Sequence, residues 1–216
     1  MSNANTSASR DTRMNARPRL SQEERRAQNL SRLQQFGSQV IVPRAPETRV
    51  MIRMVYPLNK ALTKLRRLVG MPLPVSAVMK GIEPIQVWLS EVRAWLVQSG
   101  GEFIMTSRVL GNEPAERLRL ANHPDAHVIV PQTEEARVVV ESLIRMDQVL
   151  LMLRMVSLET IERDGRLRRA LELVTGLNTA VAQVCAFAEV DYREPKGLGR
   201  SGDQPRAESG ADVGGR

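Results

Sequence analysis

The chain has 216 residues, 42% of them hydrophobic, enough to bury a core in one domain of ordinary size. Aromatic residues are only 3%, so that core must come from Leu, Val, Ala, Ile and ten Met, which favours a mostly α-helical protein over an aromatic-rich β sandwich. One cysteine, Cys185, excludes an intrachain disulfide and fits a cytoplasmic protein, while the formal charge of +7 directs attention to anionic partners.

In chain order, residues 1–20 are polar and Arg-rich, carry no apolar h-region of a secretory signal, and are expected to form a disordered basic tail. Residues 21–37 read as a short polar helix, opened by Ser21 and Glu24 at capping-box spacing and closed by Gly37. A single helical domain is expected over 40–192, with a basic part at 48–82 and a helical core at 83–192. The tetrapeptide VIVP occurs at 40–43 and again at 128–131, a recurrence compatible with a minor two-stranded ribbon or with coincidence.

Within RVMIRM, residues 49–54, side chains alternate at period two, which predicts a strand with Arg49, Met51 and Arg53 on one face and Val50, Ile52 and Met54 on the other. From Pro57 the period lengthens: Leu58, Leu62, Leu65 and Val69 form an apolar stripe and Lys60, Lys64 and Arg67 a basic one, with Gly70 as the stop. A short helical piece, PVSAVMKGI, follows, cut off at Gly81 and Pro84. The next helix, from Glu83 and Pro84 to Gly100, aligns Ile85, Trp88, Leu89, Val92 and Leu96, widened by Trp95.

Thr133 is the expected N-cap of a nearly all-apolar helix at the centre of the fold. After a turn at Asp164 and Gly165, a last helix places Leu167, Val174, Val181 and Ala188 on one stripe with Ala170, Leu171, Leu177, Val184 and Cys185 beside it. These two helices are expected to pack as a C-terminal antiparallel hairpin. Residues 193–216, rich in Gly, Pro and charge, are expected to be a disordered tail. The longest strongly apolar run, VLLMLRMV at 149–156, contains Arg154 and is too short to span a bilayer, so no membrane association is expected.

From Thr48 to Ile82 there are seven basic residues, Arg49, Arg53, Lys60, Lys64, Arg66, Arg67 and Lys80, and no acid. Such a field suits a phosphate backbone; a plain solvated face is the alternative. The order strand, helix, glycine turn, helix resembles a ribbon-helix-helix DNA-binding unit, in which a ribbon from two protomers enters the major groove. That resemblance implies a homodimer on double-stranded DNA, with Arg49, Met51 and Arg53 as base readers and Lys60, Lys64, Arg66, Arg67 and Lys80 as phosphate contacts.

A wider resemblance covers residues 83–193: EPIQVWLSEVRAWL, then HVIVPQTEEARVVVESLIRMDQVLLMLRMVSLETIER, then a basic helix running to EVDYR. This order is similar to proteins of integrating conjugative elements, to which AcaB-type transcriptional regulators are related. It implies a DNA-binding regulator of a mobile element. The rival expectation is a helical scaffold protein of the transfer machinery whose basic face meets an acidic protein partner.

No convergent catalytic set is found, so no enzyme activity and no cofactor are expected. His123 and His127 have the i, i+4 spacing of a metal pair, but Pro124 breaks the helix they would need and no third ligand suggests itself, so no metal is expected. Met146, Met152 and Met155 read as core filling. Asp147, inside the most apolar helix, needs a partner, and Arg145, Arg154 or an arginine of the last helix is expected to supply it.

Overall fold

The structure, a computed structural model, describes residues 20–69, 73–100, 114–155 and 160–195. The two expected tails lie outside these residues except for Leu20 and residues 193–195. Among the described residues there are six helices and one two-stranded antiparallel sheet: α1 (Gln22–Leu33), β1 (Gln39–Ile41), α2 (Pro46–Leu68), α3 (Val75–Gln98), α4 (Pro114–Ala121), β2 (His127–Ile129), α5 (Glu134–Met155) and α6 (Thr160–Phe187).

α1 starts where its capping box predicts: Glu24 N donates to Ser21 Oγ at 3.1 Å and Ser21 N donates to Glu24 Oε2 at 2.6 Å. The repeated tetrapeptides do pair, in the register Gln39↔Ile129, Val40↔Val128, Ile41↔His127. Strand alternation then divides the ribbon's side chains. Ile41 and Ile129 join the main core, whereas Val40 and Val128 join a small cluster with Ala121, Leu33 and Leu120.

The strand expected at 49–54 is not formed; those residues belong to α2, which runs unbroken from Pro46 through Pro57. Met51, Ile52, Met54, Val55, Leu58, Ala61, Leu62 and Leu65 are all buried in α2. Sequence neighbours such as Met51 and Ile52 share one buried side only at helical period, because a strand would send them to opposite faces. Six residues were too few to tell the two periods apart, and Pro57 marks the interior of a helix rather than its start.

The same correction applies to α3. It begins at Val75 and passes through Gly81 and Pro84 without stopping. Gly81 makes room for an aromatic ring: a β-carbon there would stand 2.5 Å from Cδ1 of Phe187 on α6. Trp88 Nε1 donates to Leu173 O at 2.9 Å and Trp95 Nε1 to Arg166 O at 3.0 Å, so α3's aromatic face is tied polar atom by polar atom to α6.

α5 starts after Thr133, whose Oγ1 accepts from Ala136 N at 3.2 Å, as expected of an N-cap. The expected C-terminal hairpin is not what packs. α5 and α6 each lie mainly against α2 and α3 and hardly touch one another, so α2 and α3 occupy one diagonal of a four-helix core and α5 and α6 the other. Asp164 and Gly165 lie within α6 rather than at a turn, and Leu171 faces solvent. Ala170, Val174, Leu177, Val181, Val184 and Cys185 of the stripe are buried, as is Ala188 just past the end of α6, while Leu167 is partly buried against the core. Among the described residues α6 is the one helix long and apolar enough by length and composition to cross a membrane, and 44% of that apolar stretch is buried inside this fold.

Asp147 finds a different partner from the expected arginines. Its Oδ1 accepts Arg44 N at 2.9 Å and Ala45 N at 2.8 Å, so α5 caps the start of α2, whose own N-cap residue, Ala45, offers no side-chain acceptor. Arg154 instead meets Glu47 in the first turn of α2, with Nη2 at 2.7 Å from Oε1 and 2.8 Å from Oε2. Burial pushes the Asp147 carboxyl above the usual carboxylate range, against the opposing pull of the Ala45 and Arg44 amides.

Candidate anion-binding face and cleft

Because α2 is helical from its first residues, its exposed basic side chains follow helical spacing. Arg49, Arg53, Lys60, Lys64 and Arg67 succeed one another at intervals of four, seven, four and three, which keeps them within one stripe of the helix. The stripe extends about 27 Å from Arg49 to Arg67 at 1.5 Å per residue. Its opposite side is the buried apolar stripe of the same helix, so the cations are held on a rigid support. Lys64 is partly engaged, with Nζ 3.4 Å from Glu189 Oε2.

The other expected contacts fall elsewhere. Arg66 lies about a quarter turn off the stripe, beside an apolar groove lined by Leu62, Leu65, Val75, Val78, Met79 and Ile82. Lys80 is exposed on α3. Met51 is fully buried and cannot reach a base edge.

At the Arg49 end, the stripe runs into a cleft of about 500 Å³ between α1, α2 and the turn entering β2. α1 contributes Arg25 and Arg32, α2 contributes Arg49, Arg53 and Tyr56, and the turn and strand contribute Asp125 and His127. Two of the guanidinium groups are oriented by the protein. Arg32 Nη1 donates to Val128 O at 3.4 Å while its Cζ stands 5.7 Å from the Tyr56 ring centre, and Arg49 Nε donates to Pro43 O at 3.2 Å. Arg25 and Arg53 hold no acceptor among the described residues, and none of the four arginines pairs with Asp125.

The two histidines do not come together on one helix face. His123 Nδ1 accepts Asp125 N at 3.1 Å and shapes the turn, whereas His127 Nδ1 lies 3.0 Å from the Tyr56 hydroxyl. Burial holds His127 below its usual pKa, Arg53 adds to the effect, Asp125 opposes it, and Arg25 and Arg32 contribute further. Burial raises the pKa of Tyr56, with Arg32 opposing. Both rings are therefore neutral near pH 7, an arrangement satisfied when Tyr56 donates to Nδ1 and the His127 proton sits on Nε2. Among the described residues no group of three His, Cys, Asp or Glu side chains is placed to hold a metal ion.

Arg49 and Arg53 were singled out from sequence; Arg25, Arg32, Tyr56 and His127 were not. Arg25 and Arg32 stand seven apart around Asn29, a one-face spacing that was open to inspection. Their convergence with α2 depends on how α1 docks.

No protein-family model matches the chain, and no curated protein or solved structure matches it at a significant level.

Proposed function

We propose that this protein binds double-stranded DNA along the outer face of α2 and acts in the cytoplasm as a non-enzymatic regulator of a conjugative mobile element. The observation that carries DNA binding is the unbroken stripe Arg49, Arg53, Lys60, Lys64 and Arg67 on one side of a helix whose other side is locked into the core. The assignment to a mobile element rests on the sequence resemblance over residues 83–193.

The contact is a helix laid against phosphates, not a ribbon in the groove. Over about 27 Å a duplex strand carries roughly eight phosphates, so five cations at helical spacing have an acceptor within side-chain reach along the whole stripe. The dimer expected of a two-chain ribbon loses its reason once residues 49–54 are helical, and docking is proposed for a single chain.

Anisotropy titrations of a labelled duplex at several salt concentrations test this. A slope of log affinity against log salt of about −4 to −5 is expected if all five cations touch phosphate, and Lys60→Ala or Arg67→Ala should each flatten it by about 1. A chain that fails to bind duplex at low salt, or binds it equally well without these cations, refutes the proposal. The scaffold reading, in which the basic face meets an acidic protein, draws on a separate observation: Val75 and Met79 are 61% and 47% exposed along an apolar groove that Arg66 flanks on one side and Glu134 and Glu135 on the other, a surface suited to a protein partner. It predicts that substitutions in that groove as well as along the basic stripe weaken association with an acidic protein, while duplex binding stays weak and sequence-blind.

A further inference from the structure

We propose that the cleft between α1, α2 and the start of β2 is a binding site for a compact polyphosphate anion, one carrying at least two linked phosphoryl groups. This goes beyond the duplex reading: it shares Arg49 and Arg53 with the stripe on α2 but adds Arg25 and Arg32, which belong to α1.

Guanidinium groups gathered around a concavity repel one another unless an anion lies among them, and their planar donor forks match phosphoryl oxygens two at a time. Here four of them face one carboxylate, Asp125, and two, Arg25 and Arg53, have no side-chain acceptor among the described residues. A single phosphoryl group brings about 1.5 to 2 negative charges at pH 7, which leaves that excess uncancelled; two linked groups cancel it. A volume of about 500 Å³ is also that of a small-ligand pocket. A duplex backbone fits this concavity poorly, since its phosphates run in line whereas the four arginines converge from two helices.

The seating of the arginines supports selectivity. Arg32 is fixed by Val128 O and the Tyr56 ring, Arg49 by Pro43 O, and both keep terminal nitrogens to donate. His127 lies within the field of Arg53, Arg25 and Arg32 on one side and Asp125 on the other, with Tyr56 on its Nδ1. An anion among those arginines offsets their field, so His127 reports occupancy.

Calorimetry of the full chain with inorganic pyrophosphate tests the site, with orthophosphate as the comparison. Saturable one-site binding is expected, at least about tenfold tighter than orthophosphate. Arg25→Ala and Arg53→Gln should each weaken it about tenfold or more, while Lys60→Ala and Arg67→Ala leave it unchanged. Arg53→Gln changes an exposed side chain with no acceptor among the described residues, so its loss of binding is not a loss of fold. Proton NMR of His127 should show its titration midpoint rising when pyrophosphate is added. A nucleoside diphosphate titrated in parallel separates free polyphosphate from a nucleotide carrying one. Equal, weak binding of orthophosphate and pyrophosphate, indifferent to Arg25 and Arg53, overturns the proposal. Duplex binding is measured on the same variants: its weakening by Lys60→Ala and Arg67→Ala but not by Arg25→Ala separates the two surfaces, while Arg53→Gln is expected to affect both.

Discussion

The four-helix core and the outer group formed by α1, α4 and the ribbon are held by different forces. In the core, α2, α3, α5 and α6 bury large side chains such as Met51, Leu58, Ile85, Leu143, Leu150 and Leu173, each worth about 1.5–3 kcal/mol by removal from water. The outer group has only the small cluster of Val40, Ala121 and Val128 of its own and reaches the main core through Ile41 and Ile129 of the ribbon. Its other ties are polar: Asn29 Nδ2 to Ala126 O at 3.1 Å, Arg32 to Val128 O, Asn59 Nδ2 to Val130 O at 3.0 Å, and Arg117 to Ser38. Such hydrogen bonds contribute about 0.5–1.5 kcal/mol each. The outer group is thus the part that opens first. The arginine cleft straddles the seam, with two guanidinium groups from each side, so an anion bound there fastens α1 to α2 and stabilises the weaker region by mass action.

The largest expected effect is on the core. Val181→Asp places a carboxylate on the fully buried stripe of α6 and should cost about 4 kcal/mol or more, abolishing the cooperative transition in urea. A variant that melts with the parent would mean that α6 is not docked against α2 and α3.

Next comes the polar link inside the core. Asp147→Ala strands the Arg44 and Ala45 amides and should cost about 2–3 kcal/mol, whereas Asp147→Asn keeps an acceptor oxygen and should cost less. The pH dependence has a definite sign. The folded carboxyl titrates above 3.8, so the native state holds the proton more tightly than the unfolded chain. The contribution of Asp147 therefore falls as pH rises from about 3.8 through the folded value. Relative to Asp147→Asn, the parent should lose ground over that window in denaturant titrations, and a gain there would contradict the burial that raises the pKa.

The smallest effect should be local. Asn29→Ala removes one tie of α1 and leaves Ala126 O unpaired, at a cost of about 1 kcal/mol. Hydrogen exchange should quicken in α1 while α2, α3, α5 and α6 keep their protection. Equal quickening in the core would show that the two regions form one cooperative unit.

What could be read from the chain followed from local rules. The capping box of Ser21 and Glu24, the cap at Thr133 and the faces of Trp88 and Val181 are each specified by near neighbours or a repeating period, and each stands in the fold, whereas the two VIVP runs left pairing and coincidence equally open until the fold brought them together. The expected strand at 49–54 failed because six residues of alternation fit two periods, and only packing against α5 and α6 selects the helix that carries the basic stripe through. Gly81 and Pro84 read as breaks, yet the Phe187 ring fills the space that a glycine leaves. Asp147 was recognisable as a buried acid in need of a partner. That its partner is the backbone of Arg44 and Ala45, about a hundred residues earlier, follows from helix docking alone. The same holds for the cleft: Arg25, Arg32, Arg49 and Arg53 sit at legible one-face spacings, but like charges have no local reason to converge. The burial of apolar stripes, together with the polar ties of α1 to the ribbon, forces them together.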